Sequence, residues 1–235
     1  MNSFPEDSIQ YLSESWWEND ADPSIAKGSL VWAHVQFFSQ VPIEIVPTRV
    51  SAEDHSSATL EARPLRADGG WRPPAPALPV AGLPKLDDAD AFAAYRVKKR
   101  PCLVVGSTTY KPVPKVISAG MPKRSIHEFT LVAPFYSQHQ SGHGGYNPEF
   151  VERIRHAEWS RYFWDMLPIS QGKESILRLD QIQPLGLHWQ SHEKTGFRLC
   201  KEAISIMDEW LRWLLFGVEE KTISTFKVLL AESTA

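Results

Sequence analysis

The sequence predicts a mainly β protein with some helix, of the α+β class. Only one long segment, Lys201–Phe216, repeats apolar residues at helical spacing. The chain has 235 residues, 43% hydrophobic and 23% charged, which suits a globular domain with additions. The remaining apolar segments are short and rich in β-branched and aromatic residues, as strands are. They span residues 30–38, 101–106, 129–137, 162–167 and 175–184.

Bulk charge and cysteine usage restrict the function classes. The formal net charge is -3, so any nucleic-acid contact requires a local positive patch. Cys102 and Cys200 lie in apolar runs without a CxxC spacing, which is typical of buried free thiols in a reducing compartment. There is no run of about 18 apolar residues and no secretory signal at the N-terminus, so we expect a cytoplasmic protein without a membrane span.

Residues 1–26 form an acidic N-terminal extension that carries Trp16 and Trp17. The segment is expected as a short helix or as a mobile tail. Two adjacent indole rings are costly to leave in water, which favours docking against the body of the chain or against a partner. The first strand of the domain follows Gly28.

Residues 42–94 are expected to be a long proline-rich insertion on the surface. Proline interrupts both sheet ladders and helices, so we predict irregular structure here. Short strands are expected near 43–46 and 58–60, and a helical turn near 87–95. The prolines that interrupt the segment are Pro64, Pro73, Pro74, Pro76, Pro79 and Pro84.

Two polar stretches are candidates for function. The basic run 96–100 precedes a buried strand, so it is either a solvated loop or a place for a phosphate backbone. His139 and His143 have a spacing that suits a metal on a helix. Their glycine-rich surroundings argue against a helix, and no third ligand is near. A mobile loop over a site is the preferred interpretation, and a metal nuclease is the weaker alternative.

The C-terminal half contains the predicted helices. Asn147 is a helix cap followed by proline, and the helix is expected to continue to about Glu158. The long helix Lys201–Phe216 ends at Gly217, a common helix terminator. Residues 219–235 are predicted as a tail whose apolar strip, 223–230, packs back or serves a partner.

The stretch 175–184 holds the candidate chemistry. Arg178 and Asp180 are two residues apart, so on a strand both side chains leave one face, while Leu177 and Leu179 point to a core. A cation beside a carboxylate suits charge stabilisation and proton transfer at a phosphodiester. An edge-strand ion pair without chemistry is the simpler alternative.

Several motifs occur in the order found in one family. Taken together, they resemble the PemK/MazF-like toxins of bacterial type II toxin–antitoxin systems. The resemblance covers roughly residues 27–218, apart from the insertion 42–94. The motifs are Gly28-Ser29-Leu30-Val31-Trp32, Lys99-Arg100-Pro101-Cys102-Leu103-Val104-Val105, Val132-Ala133-Pro134-Phe135-Tyr136-Ser137, Leu177-Arg178-Leu179-Asp180-Gln181-Ile182 and Ile206-Met207-Asp208-Glu209-Trp210-Leu211.

The resemblance implies an SH3-like small β-barrel with a C-terminal helix, paired as a homodimer. It also implies an endoribonuclease that cuts single-stranded RNA such as mRNA, without metal or cofactor, and that a cognate antitoxin inhibits. The implied catalytic residues are Arg178, Asp180 and Arg100. The implied substrate-binding residues are Ser137, Tyr136, Lys99 and Gln181.

Roles follow from the chemistry of RNA cleavage. Asp180 is expected to take the proton of the ribose 2′-OH. The resemblance implies Arg178 as the acid that protonates the departing 5′ oxygen. A guanidinium rarely gives up a proton, so a charge stabiliser is the preferred role for Arg178 and the acid is the alternative. Tyr136 stands where the family has threonine, and its ring could stack on a base. The alternative is a non-catalytic barrel that serves as an RNA- or protein-binding module.

Overall fold

A computed structural model describes residues 4–37, 40–49, 51, 53–54, 58–65, 83, 90–107, 129–138, 145–170, 173–186 and 190–233. Contacts within the chain divide it into two compact units. One comprises residues 1–35 and 99–235, and the other comprises residues 36–98. Most of the proline-rich stretch lies outside the described residues, as do His139 and His143.

Strands make up most of the regular secondary structure among the described residues. The three α-helices are α1 (Pro148–Arg155), α2 (Lys201–Phe216) and α3 (Lys221–Ser233). The strands are β1 (Trp17–Asn19), β2 (Ser29–Gln36), β3 (Ile43–Arg49), β4 (Ala58–Pro64), β5 (Phe92–Ala94), β6 (Val97–Ser107), β7 (Phe129–Ser137), β8 (Tyr162–Met166), β9 (Glu174–Arg178), β10 (Gln183–Gly186) and β11 (His192–Leu199).

The first unit is built on an eight-stranded sheet in the order β1-β11-β2-β6-β7-β9-β8, with β10 also paired to β7. Strand β7 has β6 along one edge. Its other edge is shared, because residues 129–132 pair with β10 and residues 135–137 pair with β9. The sheet curls into a half-barrel, which confirms a mainly β fold with α-helices.

The sequence suggested that the segment 175–184 is one strand, but the structure divides it into two. Strand β9 ends at Arg178, a 3-10 helix covers Leu179–Gln181, and β10 begins at Gln183. The turn is needed because both strands pair with the same edge of β7. Pro184 therefore lies inside β10 rather than ending a strand.

The long helix α2 has the predicted bounds. Cys200 caps its first turn, and Gly217 ends it at φ 73°, a left-handed conformation that favours glycine. Its apolar face packs into the core, where Met207 and Trp210 are buried. The expected C-terminal tail forms α3, which packs back through the buried side chains of Ile223 and Phe226. Within the described residues, no helix is long and apolar enough to cross a bilayer.

The second unit contains a three-stranded antiparallel sheet in the order β4-β3-β5. The short strands expected near 43–46 and 58–60 are confirmed as β3 and β4, which are longer than expected and pair with each other. The helical turn expected near 87–95 was wrong, since Phe92–Ala94 is a strand that pairs with β3. Pro47 lies inside β3, but β5 pairs only with Ile43–Ile45, so one edge of β3 has no described partner strand at Pro47.

The N-terminal segment packs against the rest of the first unit through its two indole rings. Trp16 is 1% exposed and stacks on Phe163, with ring centroids 5.6 Å apart. Both indole N–H groups donate to Asp165, Trp16 to Oδ2 and Trp17 to Oδ1, each at 3.1 Å. Burial raises the pKa of the Asp165 carboxyl to about 7, although the two indole donors favour its charged form.

The buried carboxyl of Asp165 should make stability depend on pH. Its pKa is raised on folding, so its stabilising effect is complete below about pH 4 and is lost as pH rises toward 7. One group of this kind changes the unfolding free energy by at most about 1.4 kcal/mol per pH unit. Denaturant unfolding between pH 5 and pH 7.5 should show this decline, and Asp165→Asn should abolish it. Parallel curves for the two proteins would contradict the expectation.

Candidate functional site

The side chains of Arg178 and Asp180 form a bidentate ion pair. Arg178 donates from Nε to Oδ1 of Asp180 at 2.7 Å and from a terminal nitrogen to Oδ2 at 2.6 Å. The two side chains are 21% and 31% exposed, so water reaches both. Paired forks of this kind are more specific than a single contact between charges. A cation and a carboxylate thus lie in contact at the surface of the sheet.

Buried neighbours hold this pair in place. Leu177 and Leu179 alternate with the two charged residues and are fully buried, as the sequence predicted. The Leu179 backbone N–H donates to the carbonyl of Arg161 at 3.0 Å, which ties the 3-10 helix to the start of β8. The charged pair therefore lies on a turn that the two buried leucines and this backbone hydrogen bond hold in place.

Tyr136 connects the pair to Arg100. The register Cys102↔Pro134, continued along the ladder, brings Arg100 opposite Tyr136, and the Arg100 guanidinium lies 3.8 Å from the ring centroid. The Arg178 guanidinium lies 5.7 Å from the same centroid. The Tyr136 hydroxyl donates to Oε1 of Gln181. Arg100, Arg178 and Gln181 therefore contact Tyr136, and Asp180 joins them through its ion pair with Arg178.

Arg100, Tyr136, Arg178, Asp180 and Gln181 form one cluster. Of its two cations, Arg100 has no carboxylate partner among the described residues. Its Nε is buried and has no hydrogen-bond partner in the part of the chain that the structure describes. The described contact that holds its guanidinium is the Tyr136 ring. A buried donor of this kind is available to an anion, because an unsatisfied N–H group is costly.

The electrostatics assign a protonation state to two of these groups. The hydrogen bond and charge of Asp180 raise the pKa of Arg178 above its already high ordinary value. Burial raises the pKa of Tyr136, although Arg100 and Arg178 oppose the shift. At neutral pH the cluster therefore holds a permanent guanidinium cation and a phenol that keeps its proton.

Lys99 and Ser137 lie on the other face of the sheet. Each is adjacent in sequence to a residue of the cluster, and side chains alternate between faces along a strand. Both line a separate cavity of about 260 Å³, with Trp32 and Phe135 among its walls and atoms of Arg100 contributing. Lys99 donates to Glu193 at 2.6 Å and lies 5.8 Å from the Trp32 ring centroid. The structure does not bring these two residues to the ion pair.

Two tyrosines join the cluster without having been predicted. Tyr162 is paired with Arg178 across β8 and β9, and its ring centroid lies 5.2 Å from the guanidinium. Tyr146 also contributes to the raised pKa of Arg178, after the larger effect of Asp180. The Arg178 guanidinium therefore lies against two phenol rings, those of Tyr136 and Tyr162. The signal for Tyr162 was its place in a predicted strand, but the cross-strand register was needed to bring it beside Arg178.

The structure leaves the proposed metal site untested, because His139 and His143 lie outside the described residues. Within the described ranges, no group of three or more His, Cys, Asp or Glu side chains could hold a metal ion. No cation site among the described residues adjoins the Arg178–Asp180 pair.

Comparison with known proteins adds no relative: no family model, no curated protein and no solved structure matches this chain.

The ion pair should contribute modestly to stability. Since Arg178 and Asp180 are partly exposed, Asp180→Asn should lower the unfolding free energy by about 1 kcal/mol. The loss should shrink in high salt, because salt screens the interaction. A double-mutant cycle with Arg178→Met, read by denaturant unfolding, isolates the pairwise interaction. A loss above about 3 kcal/mol would contradict this expectation, because a partly exposed ion pair should not stabilise the fold that much.

Proposed function

We propose that this protein is an endoribonuclease that cuts single-stranded RNA without a metal ion, as the PemK/MazF-like resemblance implies. The supporting observation is the contact of the Arg178–Asp180 pair with Tyr136 and Arg100. These groups supply a carboxylate and two guanidinium cations within one surface cluster. Such a set fits a reaction in which a hydroxyl is deprotonated while negative charge builds up on a phosphate.

Asp180 is the proposed base. Its carboxylate takes the proton of the ribose 2′-OH, and the 2′ oxygen then attacks the adjacent phosphate. DNA lacks this hydroxyl, so the same site leaves DNA intact. In the free protein both carboxylate oxygens accept from Arg178. A bound phosphate competes for that guanidinium, which frees the carboxylate to act.

Arg178 and Arg100 are the proposed charge stabilisers. Their guanidinium groups lie beside one phenol ring, so a phosphate near that ring is within reach of both. Arg178 cannot serve as the acid, since its raised pKa keeps its proton bound. This local positive charge provides the patch that a chain of net charge -3 requires for RNA.

The remaining residues have secondary roles in this proposal. Gln181 holds the Tyr136 hydroxyl. Lys99 and Ser137 lie on the opposite face, so we propose that they bind nucleotides that flank the reacting phosphate. The cavity beside them has an aromatic wall at Trp32 and a cation at Lys99, which suits a base and its phosphate.

The resemblance extends the proposal to the assembly. The half-barrel sheet would be an SH3-like barrel, the chain would pair as a homodimer in the cytoplasm, and a cognate antitoxin would inhibit it. Light scattering on the purified chain should then give twice the mass of 26.6 kDa. A monomer across the micromolar range would contradict the dimer without bearing on RNA cleavage.

The proposal predicts metal-independent cleavage that depends on the ion pair. Purified protein should cut single-stranded RNA in the presence of a chelator and leave DNA of the same sequence intact. Arg178→Ala and Asp180→Asn should each slow cleavage by at least about 100-fold, as the loss of a charge stabiliser or of a base does. A gel assay with end-labelled RNA measures both rates.

A second ion pair provides matched controls. Arg212 and Glu220 form an exposed pair at 2.7 Å between α2 and the turn before α3. Arg212→Ala and Glu220→Gln make the same charge changes there and should retain the wild-type rate. Full activity in both Arg178→Ala and Asp180→Asn would refute the assignment. RNA binding with no product at any enzyme concentration would favour the non-catalytic binding module.

A further inference from the structure

We infer that Tyr136 is the general acid of the proposed reaction and gives its hydroxyl proton to the departing 5′ oxygen. The inference rests on the proposed function, because it completes the same reaction at the same site. It also assigns a catalytic role to Tyr136, a residue at which this chain departs from the family pattern. The argument depends on which described groups of the cluster can release a proton and where they lie.

Few groups in the cluster can serve as an acid. The two arginines are held as cations, the Gln181 amide is not an acid, and Asp180 is committed as the base. The candidates left among the described residues are Tyr136, Tyr146 and Tyr162. Among the described ring contacts, Tyr162 lies against Arg178 and Tyr146 lies against Phe150, and neither lies against Arg100. Tyr136 alone of the three lies against both arginines.

The position of the Tyr136 hydroxyl supports this role. It donates to Oε1 of Gln181, the residue that directly follows Asp180. Base and acid are therefore held by the same 3-10 turn, Leu179–Gln181, which is anchored by the buried Leu179. The ring is only half-buried, so a substrate has access to it.

The protonation state of Tyr136 is appropriate for an acid. Burial raises the pKa of the phenol, so the proton is present at neutral pH. An alkoxide leaving group is far more basic than a phenolate, so transfer to O5′ is favourable once the P–O5′ bond breaks. The resulting phenolate lies between two guanidinium cations, which stabilise it.

The atoms balance over one turnover. The O2′–P bond forms as the 2′ proton passes to Asp180, and the P–O5′ bond breaks as O5′ takes the proton of Tyr136. The products are a 2′,3′-cyclic phosphate and a 5′-hydroxyl. Transfer of the proton from Asp180 to the phenolate through solvent restores both groups, so the step needs no co-reactant.

A pair of substrates tests the inference. One is an ordinary short RNA, and the other carries sulfur in place of the bridging 5′ oxygen, so its thiolate leaves without needing a proton. Tyr136→Phe should cut the ordinary RNA about 100-fold or more slowly than the wild type. On the 5′-thio substrate the same variant should come within a few-fold of the wild-type rate. Asp180→Asn should be slow on both, since attack by the 2′ oxygen still requires a base.

Tyr162→Phe is the matched control, because it removes a phenol hydroxyl from another ring that packs on Arg178. Whatever its effect on the rate, its ratio of rates on the two substrates should equal that of the wild type. Thermal unfolding of each variant checks that the fold is retained.

Three outcomes would overturn the inference. Tyr136→Phe could be equally impaired on both substrates, which would make the hydroxyl a positioning group. It could cut the ordinary RNA at the wild-type rate while Arg178→Ala and Asp180→Asn are inactive, in which case the nuclease proposal survives without this acid. Wild-type protein that cuts neither substrate would refute the nuclease proposal and this inference together.

Discussion

Strand β7 is the constraint on which the site depends. It is hydrogen-bonded to β6 on one edge and to both β9 and β10 on the other. Because two successive strands share one edge, the chain between them must turn within a few residues. That turn is the 3-10 helix that carries Asp180 and Gln181, so the same pairing that builds the sheet also brings the carboxylate beside Arg178 and Tyr136.

The charged cluster and the buried carboxyl of Asp165 show two ways of placing an acid in this fold. Asp180 is partly exposed and satisfied by a guanidinium fork. Asp165 is buried and its described hydrogen-bond partners are neutral N–H groups of Trp16, Trp17 and the Met166 backbone, so burial raises its pKa. The first arrangement pairs a carboxylate with a cation at a place that water reaches. The second gives Trp16 and Trp17 buried hydrogen-bond partners where the N-terminal segment packs.

Local pattern was sufficient for much of the fold. Helix α2 has its predicted bounds because an apolar stripe and a terminal glycine are local signals. Predictions failed where distant strands decide the outcome. The segment 175–184 reads as one strand locally, and only the shared edge of β7 splits it. In the second unit the strands near 43–46 and 58–60 were predicted, but β5 was expected as a helical turn, because only its pairing with the distant β3 makes it a strand.

The sequence by itself determined that Arg178 and Asp180 would lie close together, since they are two positions apart and leucines alternate with them. It also required Tyr136 and Ser137 to face opposite sides of a strand, because neighbouring side chains alternate. Only the tertiary structure decided which face joins the ion pair. Register between strands is set by the whole ladder, so contacts of Tyr136 with Arg100, 36 positions earlier, and with Arg178, 42 positions later, have no local signal.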